Sequence, residues 1–243
     1  MDYSFLQCGE GALTVHLGDG IDPAINRRVT ALQGAIGSAG LCGITDLIPA
    51  YADLTVCYDC TVISAKALQR QLRRLLDSLS VAGQDRRRVF RLPVCYGGDY
   101  GPDLDFVCHH SGLSAQEVIA LHSAPDYLIY MLGFLPGFAY LGGLDPRLHT
   151  PRLDSPRTCI PAGSVGIGGA QTGVYPLASP GGWQLLGRTP VSVFDRQRQE
   201  PILYRAGDLV HFVPISPAEY EEIARAVAAG TYTVQVEEVP VCD

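Results

Sequence analysis

The chain has 243 residues, of which 47% are apolar, and it carries a formal net charge of −7. This acidic balance argues against a nucleic-acid-binding protein, because phosphate backbones are bound by a concentrated positive surface. No apolar run approaches the roughly 18 residues of a membrane span, and the first residues lack the basic start and apolar core of a signal peptide. A soluble, cytoplasmic protein without a membrane partner is therefore expected.

Residues 1–84 alternate between two hydrophobic periodicities, which predict a small α+β domain. The predicted elements are strands over 11–17, 44–50 and 53–59, and helices over 22–36 and about 65–80. Asp22 and Pro23 supply the cap and first turn of the earlier helix. The overall order is taken as two strands, a helix, two strands and a helix, with the first strand not given bounds, and it predicts a sandwich in which both helices cover one sheet face. The polar segment 81–88 is expected to be a linker.

Residues 85–243 have a different pattern, with short strand-like segments separated by Gly/Pro turns. The predicted strands are 88–95, 126–134, 191–195, 209–213 and 231–236, and the predicted helices are 103–109, one beginning at a Ser114–Glu117 capping box, and 217–229. Many short strands with such turns favour a closed or nearly closed β-barrel over layered helices.

The segment 133–190 is the most unusual part of the chain, because 20 of its 58 residues are Gly or Pro and only six are charged. Glycine and proline each restrict the chain to particular turns, so this density specifies one path. Five aromatic residues are spaced through the segment, whereas a disordered tract would be poor in them. The segment is therefore predicted to be an ordered loop surface that binds a ligand.

Short motifs exclude several kinds of site. The sequence has no Walker A loop, and its one lysine, Lys66, lies in a predicted helix. The glycine cluster at 163–169 fits either an anion-binding nest or a tight hairpin. Ser164 stands in a sequence similar to a nucleophile elbow, but no helix follows it, so a turn residue is the better interpretation. No metal-ligand spacing is present, and no metal site is predicted.

Histidine and arginine are the remaining candidates for chemistry. His122 precedes an apolar strand and is the histidine best placed for acid–base work, although a structural role fits it equally well. Four of the six charges in 133–190 are arginines, which suit bidentate binding of carboxylate or phosphate. The alternative is an arginine that hydrogen-bonds loop carbonyls. Arg188 is the favoured functional arginine, and the other three, Arg147, Arg152 and Arg157, stay open.

Four longer motifs carry a family resemblance. They are LIPAYADLTVCYD, LPVCYGGDYGPDLD, LHSAPDYLIYMLGFLPGFAYLGGLDPRL and IPAGSVGIGGAQTGVYPLASPGGWQLLGRTP. In this order they resemble the B-type component of bacterial 5-oxoprolinase, a family that includes Kip-type inhibitors of a sporulation histidine kinase. The first subdomain of the carboxyltransferase module of urea carboxylase is also similar. The resemblance covers almost the whole chain.

The resemblance implies a fold and a set of partners. The fold is α+β: a small N-terminal ferredoxin-like α/β sandwich, 1–84, followed by a cyclophilin-like β-barrel domain, 85–243. The implied activity is the ATP-dependent opening of 5-oxo-L-proline to L-glutamate, carried out together with a C-type and an A-type subunit. ATP and Mg are implied at the level of that complex, with no recognisable motif for either in this chain.

Site residues follow from the motifs and the resemblance together. Catalytic roles are predicted for His122, Gln171, Tyr175 and Arg188. Substrate-binding roles are predicted for Phe134, Pro136, Phe138, Tyr140, Arg157, Gly163, Ser164, Thr172, Ser179, Gly181 and Trp183. The site is expected to be completed by a partner polypeptide, so that the chain alone is inactive.

Two other functions stay open on the sequence. The first is a regulatory protein that docks on a histidine kinase and inhibits it, because the Kip-type inhibitors share the long motif. The second is carboxyl transfer in a urea-carboxylase-like enzyme, which is weakened because no biotin-carrier motif is present.

Overall fold

The structure, a computed structural model, describes residues 3–79 and 86–240. The chain divides into two compact units, Met1–Gln84 and Asp85–Asp243, each with its own apolar core. Most of the predicted linker lies outside the described residues. Its last residues, 86–88, begin a strand instead, because they pair with a strand near the C-terminal end of the described chain.

The first unit is a four-stranded antiparallel sheet with two helices, counted over residues 3–79. Its elements are β1 (Ser4–Cys8), β2 (Ala12–His16), α1 (Pro23–Ala39), β3 (Ile44–Pro49), β4 (Asp53–Tyr58) and α2 (Ala65–Asp77). The sheet order is β1-β2-β4-β3, and the predicted sequence of elements is confirmed. Asp22 caps α1, its Oδ1 accepting the Ala24 N–H at 2.6 Å.

The core of this unit follows the predicted periodicities. Alternate residues of β2 and β4, such as Leu13 and Val56, are fully buried, and they pack with the apolar stripes of both helices, which include Leu32 and Leu68. Burial of one sheet face and one helix stripe is the arrangement that the two periods predict.

The second unit contains more helices and strands than the first, counted over residues 86–240. They are β5 (Arg86–Tyr96), α3 (Leu104–Ser111), α4 (Ala115–Ser123), β6 (Asp126–Leu132), β7 (Ala139–Gly142), β8 (Arg157–Ile160), β9 (Ser164–Gly168), β10 (Gln171–Val174), β11 (Ser179–Gly181), β12 (Gln184–Arg188), β13 (Leu209–Ile215), α5 (Pro217–Ala228) and β14 (Gln235–Pro240). Ser114 and Glu117 form the predicted capping box at the start of α4.

A closed β-barrel organises this unit. Within residues 86–240, seven strands join in the order β12-β9-β10-β7-β6-β13-β5, and β5 pairs back to β12. The β5–β13 pair is parallel, and β14 is added to the free part of the β5 edge. Inward side chains from the barrel strands fill the interior, among them Leu92, Ile129 and Phe212, as expected for a barrel of this size. The predicted barrel is confirmed.

Two predicted strands are wrong. Residues 191–195 make an isolated bridge at Phe194 rather than a strand, because the Thr189 hydroxyl takes up the Val191 N–H and the segment turns. The predicted strand over 231–236 begins at Gln235, since the N–H groups of Thr231 and Tyr232 bond to the Ala226 carbonyl and close the end of α5. Across residues 3–79 and 86–240, no helix combines the length and apolar character needed to cross a membrane.

Candidate functional site

Three adjacent barrel strands, β10, β9 and β12, carry four of the fifteen predicted site residues, and Gly163, Tyr175 and Trp183 lie directly beside the ends of these strands. Val165 and Ile167 of β9 point into the core, so Ser164, Gly166 and Gly168 face outward. Residues directly opposite on neighbouring strands share a face. By register, the outward positions beside these three are Gln171, Gly173 and Tyr175 on β10 and its continuation, and Leu185 and Arg188 on β12.

The outward glycines form a floor for an aromatic ring. A Cβ on Gly168 would lie 2.3 Å from Nε1 of Trp183, and one on Gly173 would lie 3.2 Å from Cζ3 of the same ring. The indole can therefore rest directly on the strands because no side chain lies beneath it. The glycine cluster forms a strand hairpin. The N–H groups of Gly163, Ser164 and Gly169 donate to the carbonyls of Tyr175, Pro161 and Thr150, which favours the hairpin over the anion-binding nest.

An aromatic pocket stands on this floor, at the outer surface of the barrel. The Phe138 ring lies edge-on to its neighbours, with centroid distances of 5.1 Å to Tyr140, 5.4 Å to Tyr175 and 5.6 Å to Trp183, the geometry that aromatic quadrupoles favour. The pocket has a volume of about 150 Å³. Its lining consists of Phe134, Phe138, Tyr140, Arg152, Tyr175, Pro180, Gly181, Gly182 and Trp183.

Phe134 forms the rim of the pocket in an unusual backbone conformation. Its φ is +66°, a left-handed value that is rare for a bulky residue, and 64% of its surface is exposed. The ring contacts Phe138 edge-on at 5.6 Å. Pro136, in the same turn, lines a neighbouring open cavity with Ile202 rather than the aromatic pocket.

Arg157 supports the pocket from behind. Its Nη2 donates to Oδ1 of Asp103 at 2.7 Å, and its Nη1 donates to the Trp183 carbonyl at 3.4 Å. The second Asp103 oxygen accepts the Leu185 N–H at 2.7 Å. Arg157 is predicted to bind substrate, but in the structure its contacts are those of a structural arginine. Together with Asp103 it holds the backbone at Trp183 and Leu185, the residues on either side of Gln184.

Arg188 and Ser164 occupy the other end of the same outward face. They are opposite each other in the β9–β12 register, and neither lines the aromatic pocket. Arg188 Nε and Ser164 Oγ are buried polar atoms without a hydrogen-bond partner in the described part of the chain. Burial raises the pKa of the nearby Tyr220 hydroxyl, and the charge of Arg188 and a hydrogen bond from it oppose that shift. Unpaired buried polar atoms are costly, so this pair is a second candidate for ligand contact.

His122 lies inside the barrel, fully buried. Its Nδ1 and Nε2 are each 2.8 Å from a hydroxyl, of Tyr96 and Thr172 respectively, and Thr172 also donates to the Gly166 carbonyl. With a neutral imidazole protonated at Nε2, the Tyr96 hydroxyl donates to Nδ1 and the Nε2 proton is donated to the Thr172 hydroxyl. Desolvation lowers the pKa of His122 to about 3. His122 and Thr172 therefore sit on the interior side of β10, with the pocket on its outer side.

The last predicted residues are turn and edge positions. Gly163 has φ +80°, and a Cβ there would meet the Thr189 carbonyl. Ser179 is buried in the small β8–β11 sheet. Gly181 lines the pocket, where a Cβ would lie 2.6 Å from the Tyr175 hydroxyl. No group of three or more His, Cys, Asp or Glu side chains within residues 3–79 and 86–240 could hold a metal ion.

Sequence reasoning missed two residues of this site. Asp103 was expected only to begin a helix, yet its carboxylate makes no cap hydrogen bond and reaches Leu185 instead. The sequence leaves the role of Arg152 open, and the structure places its guanidinium 5.9 Å from the centroid of the Trp183 ring. The signal for Arg152 was present as an arginine in an aromatic, Gly-rich segment, whereas the Asp103 contact spans 82 residues and leaves no local pattern.

Comparison with known proteins gives consistent results. A model of the family described as carboxyltransferase domain, subdomain C and D, matches residues 3–204. The B-type component of 5-oxoprolinase from Bacillus subtilis (strain 168) is 42% identical over 228 residues, which cover 90% of this chain and 95% of that protein. Among solved structures, TTHA0988 is 41% identical with a TM-score of 0.74 and covers 84% of this chain.

Two of the solved structures have much longer chains. The present chain spans 40% of the TTHA0988 chain. It spans 24% of the urea carboxylase of Kluyveromyces lactis, which covers 98% of this chain at a TM-score of 0.82 and 23% identity. At that identity the likeness establishes a shared fold, and the two-unit architecture is thus also found within a larger carboxylase.

Proposed function

The chain belongs to the family of the carboxyltransferase domain, subdomains C and D, and on this premise we propose that it is the B-type component of an ATP-dependent 5-oxoprolinase. The complex opens 5-oxo-L-proline to L-glutamate. The 42% identity to the Bacillus subtilis protein, over 90% of this chain, carries the proposal. The aromatic pocket on the outer barrel face is a surface at which a component of this complex could bind its ligand or its partners.

The reaction explains why further subunits are needed. A lactam is a stabilised amide, and its opening is helped when its oxygen is converted to a phosphate ester that water can then attack at carbon. That chemistry requires Mg-ATP, an acid–base pair and donors to a developing oxyanion. The residues that line the pocket carry one arginine and two phenols but no carboxylate or imidazole. We assign ATP and Mg to the complex and propose no residue of this chain as their ligand.

The proposed partners are a C-type subunit and an A-type subunit. The aromatic pocket and the Ser164–Arg188 pair both lie on the outward face of the same three strands, where a second polypeptide can complete them. We therefore propose that the isolated chain has no turnover, and that the complex acts in the cytoplasm. In finer detail, we propose that the first unit is a ferredoxin-like variant and that the barrel is cyclophilin-like.

Reconstitution tests the proposal directly. The purified chain is mixed with its C-type and A-type partners, and ATP-dependent release of glutamate from 5-oxoproline is measured. We expect turnover only with all three subunits, and a marked loss of it for Gln171→Ala and for Arg188→Ala. Arg147→Ala is the matched control, because that exposed arginine pairs with Asp145 and touches neither candidate site.

The same experiment separates the alternatives. A histidine-kinase inhibitor would give no glutamate release, but would lower kinase autophosphorylation when added alone. A carboxyltransferase component would consume a carboxylated carrier in the presence of urea. Full activity of both the Gln171 and Arg188 variants would remove those two residues from the proposed site while leaving the proposed reaction intact.

A further inference from the structure

The aromatic pocket is small for a binding site and has a defined shape. Ligand pockets for drug-sized molecules occupy about 300–1,000 Å³, whereas this one measures about 150 Å³. Its lining includes Gly181, Gly182 and the rings of Phe138, Tyr175 and Trp183. The Trp183 indole in turn rests on the strand backbone at Gly168 and Gly173. A flat ring of few atoms fits these dimensions.

One arginine side chain stands at the open side of the pocket. The segment 145–157 contains three arginines, of which Arg147 pairs with Asp145 and Arg157 pairs with Asp103. Arg152 makes no ion pair with any residue in 3–79 or 86–240, and its guanidinium lies 5.9 Å from the Trp183 ring centroid. A guanidinium held over an aromatic face, with no carboxylate paired to it, is suited to a ligand carboxylate.

The backbone around Arg152 is tied to the pocket. The N–H of Leu153 donates to the Gly182 carbonyl at 2.7 Å, which joins the arginine's own segment to the pocket lining. Pre-positioning of this kind lowers the ordering cost when a ligand binds. The backbone next to Arg152 is thus attached to the pocket lining, and its exposed side chain is one of the residues that line the pocket.

A hydrogen-bond donor belongs to the wall of the same pocket. Burial raises the pKa of the Tyr175 hydroxyl, while a hydrogen bond from the Trp183 backbone N–H, with Arg152 and Arg157 nearby, opposes the shift. The phenol is neutral at pH 7, and its oxygen already accepts from the backbone, so its proton is available to a carbonyl oxygen.

We propose that this pocket binds the 5-oxoproline ring itself, with Arg152 on its carboxylate, the Tyr175 hydroxyl on its lactam carbonyl and the Trp183 indole against its ring face. This assignment rests on the proposed function and adds to it the location of the substrate and a specificity residue, Arg152. It predicts that ligand recognition requires both a small lactam ring and a carboxylate.

The first test measures steady-state kinetics of the reconstituted complex. Arg152→Met keeps the length and apolar contact of the side chain but removes the charge. We expect it to raise KM for 5-oxoproline roughly tenfold to hundredfold, the effect of losing a charged hydrogen bond, with a much smaller change in kcat. The KM of Arg152→Lys is expected to lie between those of the wild type and Arg152→Met. The KM of Arg147→Met is expected to match that of the wild type.

The second test reads binding without catalysis. Trp183 is the only tryptophan of the chain, so its fluorescence in the isolated full-length chain reports the pocket alone. We expect saturable changes with 5-oxoproline, much weaker ones with 2-pyrrolidone, which lacks the carboxylate, and equally weak responses to both compounds in Arg152→Met.

The outcomes separate this inference from the proposed function. An active complex whose KM is unchanged by Arg152→Met overturns the inference and leaves the function standing. An inactive wild-type complex overturns the function, and the fluorescence titration then decides whether the pocket binds the ring. Loss of complex assembly in Arg152→Met, seen by size-exclusion chromatography, would make the pocket a protein interface and would also overturn the inference.

Discussion

Asp103 and Arg157 are 54 residues apart in the chain and form an ion pair of 2.7 Å behind the aromatic pocket. The carboxylate accepts from Arg157 with one oxygen and from the Leu185 N–H with the other. The pair therefore fixes the strand that follows Trp183, the residue whose ring rests on the glycine floor. The pocket depends on a contact between two residues that do not line it.

Breaking this pair is expected to loosen Trp183. In Asp103→Asn one acceptor becomes a donor, so either Arg157 or the Leu185 N–H loses its partner in a mostly buried place. We expect the free energy of unfolding to fall by about 1.5–3 kcal/mol and the Trp183 emission to shift to longer wavelength. Urea denaturation followed by this emission measures both, because the tryptophan lies in the second unit.

Arg147→Met is the control for this experiment, since its pair with Asp145 is largely exposed. Exposed ion pairs contribute about 0–1 kcal/mol. An Asp103→Asn variant that resembled this control in stability and emission would show that the ion pair does not hold the strand.

The glycine floor gives a second prediction, at Gly168. Alanine there would place a Cβ 2.3 Å from Nε1 of Trp183, and the contact cannot be relieved without moving the indole or the strand. We expect a loss of about 1–3 kcal/mol from overpacking, together with a red-shifted Trp183 emission and weaker substrate binding by the complex. Fluorescence spectra of the folded protein, urea denaturation and KM check these effects.

Gly34→Ala provides the matched comparison, because a Cβ at this position in α1 meets no atom within 4 Å. An alanine in a helix is favoured over glycine by up to about 1 kcal/mol, so this variant should be at least as stable as the parent when urea denaturation of the first unit is followed by circular dichroism, and its Trp183 emission should be unchanged. If Gly168→Ala behaved in the same way, the indole would not rest on the strand.

Much of this fold follows from periodicity, and much of the site does not. The alternation in β4 and the helical stripe of α2 are local patterns, and both elements form where they were predicted. The face to which a barrel residue points depends on strand register, which only pairing sets. Thr172 therefore looks like a candidate equal to Gln171 in the sequence, although the structure places it inside the barrel, where it bonds to His122 of α4.

Arginine roles were the hardest to predict. Arg152 and Arg157 stand in the same Gly/Pro-rich context, and only the carboxylate of Asp103, far away in the chain, distinguishes the structural arginine from the one beside the Trp183 ring. A long-range partner leaves no trace in local composition. The sequence identifies the candidate arginines and the two possible roles, ligand binding and structural hydrogen bonding, but it does not show which arginine has which role.

The buried imidazole of His122 predicts a dependence of stability on pH. Desolvation lowers its pKa to about 3 in the folded state, against about 6.5 in an unfolded chain. Between these values the unfolded state binds more protons, so the stability contribution is fully present above about pH 6.5 and falls as the pH drops toward 3. The expected slope from this group is about 1.4 kcal/mol per pH unit.

His122→Gln removes the titration while keeping a neutral donor and acceptor for Tyr96 and Thr172. We expect this variant to lose less stability than the wild type between about pH 6.5 and 4.5, as measured by urea denaturation with Trp183 emission. Parallel pH profiles for the two proteins would mean that His122 is not held neutral by burial. A stacking contact with Phe212, at 4.8 Å, is also lost, so the comparison uses the slopes and not the absolute stabilities.

The left-handed backbone of Phe134 gives the last prediction, which compares two variants of one residue. Phe134→Ala and Phe134→Gly both remove the exposed ring, but only glycine adopts φ +66° without strain. At ordinary positions alanine is more stabilising than glycine by about 0.5–1 kcal/mol. Here we expect the reverse order, with the glycine variant more stable by about 1 kcal/mol.

Measurements of unfolding free energy and of KM for the two variants together test whether the strained backbone at Phe134 is retained because its ring contributes to binding. Both variants should raise KM of the complex to the same extent, because they lose the same aromatic ring at the rim of the pocket. Urea denaturation gives the order of stability, and an alanine variant more stable than the glycine variant would show that residue 134 is not left-handed in solution. Reversed stability with equal loss of binding would mean that a strained conformation is retained at the rim because the ring is needed there.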